Sequence, residues 1–260
     1  MPVRAGTPII DEGSAPSGCA TLREVGAELQ PLGENLWVAD GPIVDFYSFP
    51  YSTRMAVARL SSGALWIWSP IPLADPLRAE LAALGRPAHL VSPNKIHHLF
   101  LGEWKKTFPN AKLWGLPSVI RKRPDLNFTG ALADDPPEEW RGEIDQTVFR
   151  GSPAMDEVVF FHRASRTAIF ADLIENFSME FLRTTPGWKG WRTAVAKLWK
   201  ITEPHGYAPL EWRLSFIRRA PARAALARVL GWAPVNAVMA HGTIQRGNAV
   251  EFIRKSFTWL

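Results

Sequence analysis

Three apolar runs in this 260-residue chain end in side chains that can bind a metal. Residues 88–100, AHLVSPNKIHHLF, leave a strand-like stretch at a turn and deliver His97 and His98 together. Residues 168–172, AIFAD, end in Asp172, and residues 235–242, VNAVMAHG, end in His241 and Gly242. Neutral imidazole nitrogens and a carboxylate oxygen are ligands that zinc and iron accept. A dication held by such a set lowers the pKa of water and polarises an ester, amide or phosphoryl oxygen, which is the chemistry of hydrolysis. Each candidate stands where a strand gives way to a turn, the place where α/β folds carry function.

Each residue alone also has a plain structural use. Adjacent histidines at a helix start point in different directions, and one of them can simply cap or pack. Asp172 can cap a helix over 173–177, and His241-Gly242 can be an ordinary strand exit. The joint occurrence points to a site.

The elements that must position these residues follow from periodicity and punctuation. Residues 35–39, 54–60 and 64–68 read as strands, the last two joined in a hairpin by Ser61-Ser62-Gly63. Leu77, Leu81 and Leu84 share one face of a helix over 75–84, which Gly85 ends. A strand at 89–92, a helix at 98–107, a strand at 112–115 and a helical turn at 118–122 continue in βα alternation. Residues 121–139 hold three prolines and read as a long surface loop. Strands return at 144–149, 157–162 and 167–172, with a turn at 163–166. Helices are expected over 175–230, then a strand at 236–240 and a helix at 246–257. Hairpins mixed with βα units imply two sheets, each covered by helices on its outer face: an αββα sandwich. Residues 1–30, rich in Gly, Pro, Ser and Thr with a weak helical pattern near 21–29, read as an N-terminal extension, and residues 31–260 as a single domain.

With 47% hydrophobic residues the chain can bury a full core. Its one cysteine, Cys19, excludes a disulfide framework and a cysteine zinc site. No signal-peptide pattern and no run of about 20 apolar residues is present, so the expectation is a cytoplasmic protein. The net charge of +5 permits an anionic partner without requiring one. Without a Gly-rich phosphate loop, a G-x-S-x-G elbow or an aromatic RNA-binding motif, nucleic acid is not an expected partner.

Taken with the order of elements, these motifs resemble the metallo-β-lactamase-fold superfamily over about residues 35–257. That family's first motif, Thr-His-x-His-x-Asp-His, falls on Ser92-Pro93-Asn94-Lys95-Ile96-His97-His98. Its first two histidines become Pro93 and Lys95, its aspartate becomes His97, and its last histidine is His98. The middle histidine should fall near Gly151-Ser152-Pro153, where there is none. The bridging aspartate falls on Asp172 and the final histidine on His241. The resemblance therefore implies one divalent metal, zinc or else iron, held by His97, His98, Asp172 and His241, with the first metal position vacated. Lys95 would stand near that vacated position as a fixed cation, and with Asp172 forms the expected catalytic pair. The hairpin ending Asp-Thr-Gly of the family is replaced by Trp68-Ser69-Pro70, which removes a residue that supports the ligands.

The implied activity is a mononuclear metal-dependent hydrolase of a small, anionic substrate; the alternative is a non-catalytic binding or scaffold protein retaining the fold. The other histidines weigh less: His89 and His162 read as structural, and His205 lies on a loop within reach of the pocket. Asp156 and Glu157 read as edge-strand carboxylates, or as partners of a ligand histidine. A basic, Trp-rich helical region at about 177–232 is the second notable feature. Residues 183–228 hold ten Lys or Arg against two Glu, and Trp188, Trp191, Val195 and Trp199 fall on one helical face. A helix over 188–200 is expected to pack Trp191 and Trp199 inward, with Lys189, Arg192 and Lys200 solvated. Peripheral membrane contact and substrate selection are the other uses of such a helix.

Overall fold

A computed structural model describes residues 28–260; Cys19 and most of the 21–29 helical pattern lie outside them. The chain runs through strands β1 (Gln30–Gly33), β2 (Leu36–Phe46), β3 (Phe49–Arg59) and β4 (Ala64–Trp68), then helix α1 (Asp75–Leu84) and strand β5 (Arg86–Ser92). Helix α2 (Leu101–Thr107), β6 (Lys112–Gly115), α3 (Pro117–Lys122) and the two-residue β7 (Gly130–Ala131) follow. A second group comprises β8 (Ile144–Phe149), β9 (Glu157–His162) and β10 (Thr167–Asn176). Helices α4 (Met179–Thr184), α5 (Trp191–Trp199), α6 (Leu210–Leu214) and α7 (Arg219–Gly231) lead to β11 (Asn236–Gly242) and α8 (Ala249–Ser256).

Strands β1 to β7 form one sheet in chain order, and the other sheet has the order β11-β10-β9-β8. Between them lies an apolar layer in which Val38, Trp66, Trp68 and Val91 of the first sheet meet Val148, Phe160, Ile169 and Val238 of the second. The alternate residues of the first sheet, such as Val57 and Ile67, pack on Leu77 and Leu81 of α1 and Trp104 of α2. Phe170 and Met239 of the second sheet pack on Trp212, Val229 and Phe252 of the later helices. Period-two alternation has thus split each sheet's side chains between an inner core and a helical cover, and the αββα sandwich is the observed fold.

Four details differ from the sequence expectation. Strands β2 and β3 run on into an extended hairpin whose turn residues, Tyr47 and Ser48, have φ of 50° and 65°. Neither is glycine, so the usual sequence signal for such a turn is missing. The loop after α3 contributes β7 to the first sheet and the turn of 3-10 helix at Glu138–Trp140, whose buried Trp140 packs between Trp66 and Trp114. β10 continues past Asp172 to Asn176, so Asp172 is not a helix cap. The helix expected at 188–200 starts at Trp191, and Trp191 is exposed; the inward tryptophan is Trp188, which precedes the helix and donates its indole N–H to the Pro50 carbonyl at 2.6 Å.

The sheets are tied together at one edge. Val158 N–H donates to the Pro93 carbonyl at 2.9 Å, and Asn94 pairs with Glu157 in an isolated β-bridge. Arg54 of β3 is almost fully buried; its Nη1 donates to the carbonyls of Met239 at 2.9 Å and Gly242 at 2.7 Å, while its Nε meets Asp40 at 2.7 Å. The ends of β4, β5 and β11 and the start of β3 meet there.

Candidate metal centre

His97, Asp172 and His241 converge at this edge, offering one ligand atom each within 4.8 Å of one another. His241 Nε2 lies 3.0 Å from Asp172 Oδ1, and His97 Nε2 lies 3.4 Å from the same oxygen and 3.2 Å from Oδ2. A tetrahedral zinc with bonds of about 2 Å has ligand–ligand edges of roughly 3.3 Å, and the spacings of each histidine from the carboxylate are close to that.

The outer nitrogens support the same reading. His241 Nδ1 donates to the Ser52 carbonyl, an acceptor only, and His97 Nδ1 lies 2.7 Å from Ser69 Oγ. With Nδ1 backed by oxygen, each ring can keep a proton there and free Nε2 for a cation held between the rings and the shared carboxylate, the arrangement that orients metal-binding imidazoles. Ser69 has φ of 49°, a region rarely adopted by residues other than glycine, which aims its hydroxyl at His97. The Trp68-Ser69-Pro70 ending is therefore not a loss of support for the ligands. Gly242 after His241 has φ of 90°, and a Cβ there would lie 2.2 Å from the Asn176 carbonyl group, so the backbone leaves β11 as only glycine allows.

Beneath the triad sits a second layer, of which the sequence points to Glu157 but not to Asn94. Asn94, fully buried, donates through Nδ2 to Asp172 Oδ2 at 2.6 Å and to Glu157 Oε2 at 3.1 Å. Its Oδ1 accepts from the backbone N–H groups of Ile96 at 3.0 Å and His97 at 3.3 Å. All four hydrogen-bonding valences of the amide are used. Glu157, also fully buried, accepts from the N–H groups of Ala171 and Asp172, each at 2.8 Å. It thus anchors β10 rather than a ligand histidine. An Asn at a strand exit, able to close a turn on an N–H two residues ahead, was the available signal.

The electrostatics follow from this burial. Burial opposes the charge on Asp172, but His97 and hydrogen bonds from both histidines outweigh it and hold the carboxyl well below the usual range. Burial pulls His97 down, and the Asp172 and Glu157 charges more than offset it, so its pKa is raised. Glu157 is pushed up to about 7 by burial and then by Asp172.

The structure separates His98 and Lys95 from this cluster. Arg123 Nη1, which can only donate, lies 3.3 Å from His98 Nδ1 and donates to the His98 carbonyl at 3.1 Å. Burial and the charges of Lys122 and Arg123 lower the His98 pKa to about 4. A neutral ring that accepts at Nδ1 carries its proton on Nε2, leaving no lone pair for a metal. Lys95 makes no hydrogen bond through its ammonium among the described residues, and its charge acts on Asp156; the group lying between Glu157 and Asp172 is the Asn94 amide. His89 and His162 are buried elsewhere, bonded to Trp114 and Ser165. His205 packs beside Tyr207, outside the cavity lining.

The triad opens into a cavity of about 880 Å³, of the size of small-molecule sites. Phe46, Phe49, Leu99, Met155, Trp199 and Trp212 give it largely apolar walls, with Lys95 and His98 also on its lining. Tyr51 and Glu175, neither singled out from the sequence, line it too; the Tyr51 hydroxyl lies 3.4 Å from Glu175 Oε2. Burial and the nearby Asp172 charge push the Glu175 carboxyl well up.

The same architecture occurs in solved metallo-β-lactamases. The DIM-1 enzyme is 14% identical with a TM-score of 0.58, over 88% of this chain and 95% of its own. An enzyme from Erythrobacter litoralis is 10% identical with a TM-score of 0.58, over 88% of this chain and 94% of its own. FIM-1 from Pseudomonas aeruginosa, solved in a mono-zinc form, is 10% identical with a TM-score of 0.54, over 87% and 92%. At such identities the likeness is one of fold. No curated protein sequence matches the chain. A family described as a domain of unknown function matches residues 35–184, from the start of β2 to the end of α4, taking in His97 and Asp172 but not His241. That match spans more than half of the chain, which therefore belongs to the DUF4336 family.

Proposed function

We propose that the protein is a mononuclear metal-dependent hydrolase whose single ion, zinc or else iron, is held by His97, Asp172 and His241. The observation that carries this reading is the aim of two Nε2 atoms, each ring backed at Nδ1, onto one buried carboxylate on a cavity wall. When bound there, such an ion supplies a Lewis acid for a carbonyl or phosphoryl oxygen and lowers the pKa of water, and a set of three protein ligands is the number that catalytic zinc sites use.

The chain's own residues supply the rest. Ser69 and the Ser52 carbonyl fix the imidazole orientations, and Asn94 holds Asp172 so that Oδ1 faces both rings. Because the Asn94 amide lies between Glu157 and Asp172, a second cation has no place there, which supports one metal rather than two. The apolar walls exclude water and hold the organic part of the substrate, while Lys95 and Lys122 on the lining favour an anionic group. The mono-zinc form of the FIM-1 neighbour is in keeping with this stoichiometry.

Metal analysis of protein purified without chelator, followed by anomalous scattering, tests the reading. One equivalent per chain is expected, lost in Asp172→Ala and His241→Ala and retained in His98→Ala and His162→Ala. Two tightly held equivalents, or an ion placed away from Asp172, would end it. Hydrolysis of a panel of esters, thioesters and phosphodiesters should vanish with chelator and return with metal. A bound metal without any such turnover would favour the non-catalytic binding protein.

A further inference from the structure

The large apolar side chains that stay exposed are not scattered. Among the described residues all of them, apart from Met179 and Val235, belong to four short segments: Ile43, Phe46 and Tyr47; Leu99; Trp191 and Leu198; and Leu214 and Ile217. Phe46, Tyr47 and Leu99 line the cavity themselves. Trp191 sits edge-on to the cavity residue Phe49 at 5.7 Å, Leu198 precedes the cavity residue Trp199, and Leu214 and Ile217 follow the cavity residue Trp212. Arg213 Nη2 donates to the Trp199 carbonyl at 2.7 Å, joining α6 to α5. The apolar exposure is thus gathered around one mouth. Isolated exposed apolar residues are ordinary, but a gathered rim marks an interaction surface.

The charge on the helical part of this rim is mostly positive. Residues 188–219 hold seven Lys or Arg against Glu203 and Glu211. Among the described residues Lys189, Lys197, Lys200, Arg218 and Arg219 are exposed and form no ion pair. The Arg192 guanidinium lies 5.0 Å from the Trp191 ring centroid. Unpaired cations interleaved with exposed Trp, Leu and Ile match an anionic lipid surface, where chains of mixed character place apolar parts below the headgroups and charges among them. On the hairpin and α6, Asp45 and Glu211 are the opposing charges at the mouth.

We infer that this rim docks on an anionic lipid bilayer, so that the cavity receives from the bilayer an amphiphile whose apolar chain lies along its walls. The docking stands without the metal; the assignment of the amphiphile as substrate rests on the hydrolase reading above.

Sedimentation of the full chain with phosphatidylcholine vesicles, with and without phosphatidylglycerol, at low and high salt, tests the docking. Binding should require phosphatidylglycerol and fall as salt rises. Lys197→Gln and Lys200→Gln should each weaken it about fivefold, the effect of one charge near an anionic surface. Trp191→Ala with Leu198→Glu should abolish it, whereas Val235→Glu, an exposed apolar position at the end of β11 opposite His241, should not. Unchanged thermal melts show that these surface variants fold. No binding at low salt, binding indifferent to phosphatidylglycerol, or equal loss in Val235→Glu would overturn the inference. Asp172→Ala separates the two readings: it should lose the metal and keep full vesicle binding.

Discussion

Asn94 is the side chain that lets two buried carboxylates lie close together. Two buried carboxylates, Glu157 and Asp172, share its Nδ2 group, at 3.1 and 2.6 Å. Left without a cation or a donor, such a pair would repel at high cost in a medium of low dielectric. An amide supplies both N–H groups without a charge, whereas the ammonium expected from Lys95 acts on Asp156 instead. Asn94→Asp keeps the shape and replaces the two donors by an acceptor. It is expected to lower the unfolding free energy of metal-free protein by about 3–5 kcal/mol, the cost of an uncompensated buried charge. Part of that loss should be recovered on adding zinc, since a second cation would then find three carboxylates. Urea melts with chelator and with zinc give both numbers; a loss under about 1 kcal/mol, typical of a surface change, would show that the amide is not the stand-in.

Among the elements, β5 bears His89 within the strand and leads into His97 five residues beyond its end; both are largely buried, and their partners, Trp114 for one and Asp172 for the other, distinguish them. His89 accepts the Trp114 indole N–H at 3.3 Å and packs edge-on to Trp140 at 5.3 Å. Burial lowers its pKa to about 4, with Lys112 and Arg86 acting in the same sense and Glu139 against. In the unfolded chain it takes up a proton near its ordinary value of about 6.5. Between those two values the unfolded state binds more protons, so this contribution to stability is complete above about pH 6.5 and falls as pH drops toward 4. His89→Gln keeps an acceptor for the indole and removes the titration. Its stability should therefore decline less than the parent's over that window. Urea melts in chelator at about pH 7.5 and about pH 4.5 check this; a difference between variant and parent that does not change with pH would refute it.

Over the whole molecule, the site depends on two sheets being held in register at one edge, and Arg54 is the cross-tie. From β3 it reaches two carbonyls at the end of β11, one on either side of His241 in the chain. Arg54→Met retains the apolar stem and removes the donors, and should cost about 3 kcal/mol of stability, given roughly 1.5–3 for a hydrogen bond to a charged group. Metal affinity should fall about tenfold or more, as for other partners that orient ligands. Lys112→Met, which breaks an ion pair with a half-exposed lysine, should change stability by less than about 1 kcal/mol and leave metal binding alone. Equal effects of the two variants, measured by urea melts and metal titration, would remove Arg54 from the account.

What the chain determines by itself is local. The strand-like runs at 64–68, 144–149 and 157–162, the leucine face of 75–84 and the Gly85 stop are patterns of neighbours, and the structure reproduces those bounds. The strand ends bearing His97, Asp172 and His241 were legible for the same reason, and so was the αββα sandwich they imply. The rest depended on contacts across the sequence. His98 sits beside His97 in the chain, but Arg123, 25 residues on, takes its ring nitrogen. Trp191 and Trp188 share a helical spacing on paper, yet the chain turns between them at Gly190, with φ of 72°, and exposes the first while burying the second. Asn94 has no motif of its own; Glu157 and Asp172, 63 and 78 residues away, are what make it part of the site. Spacing sets which residues can share a face, whereas the choice among ligand, support and bystander is made by partners that only the packed sheets bring within hydrogen-bonding distance.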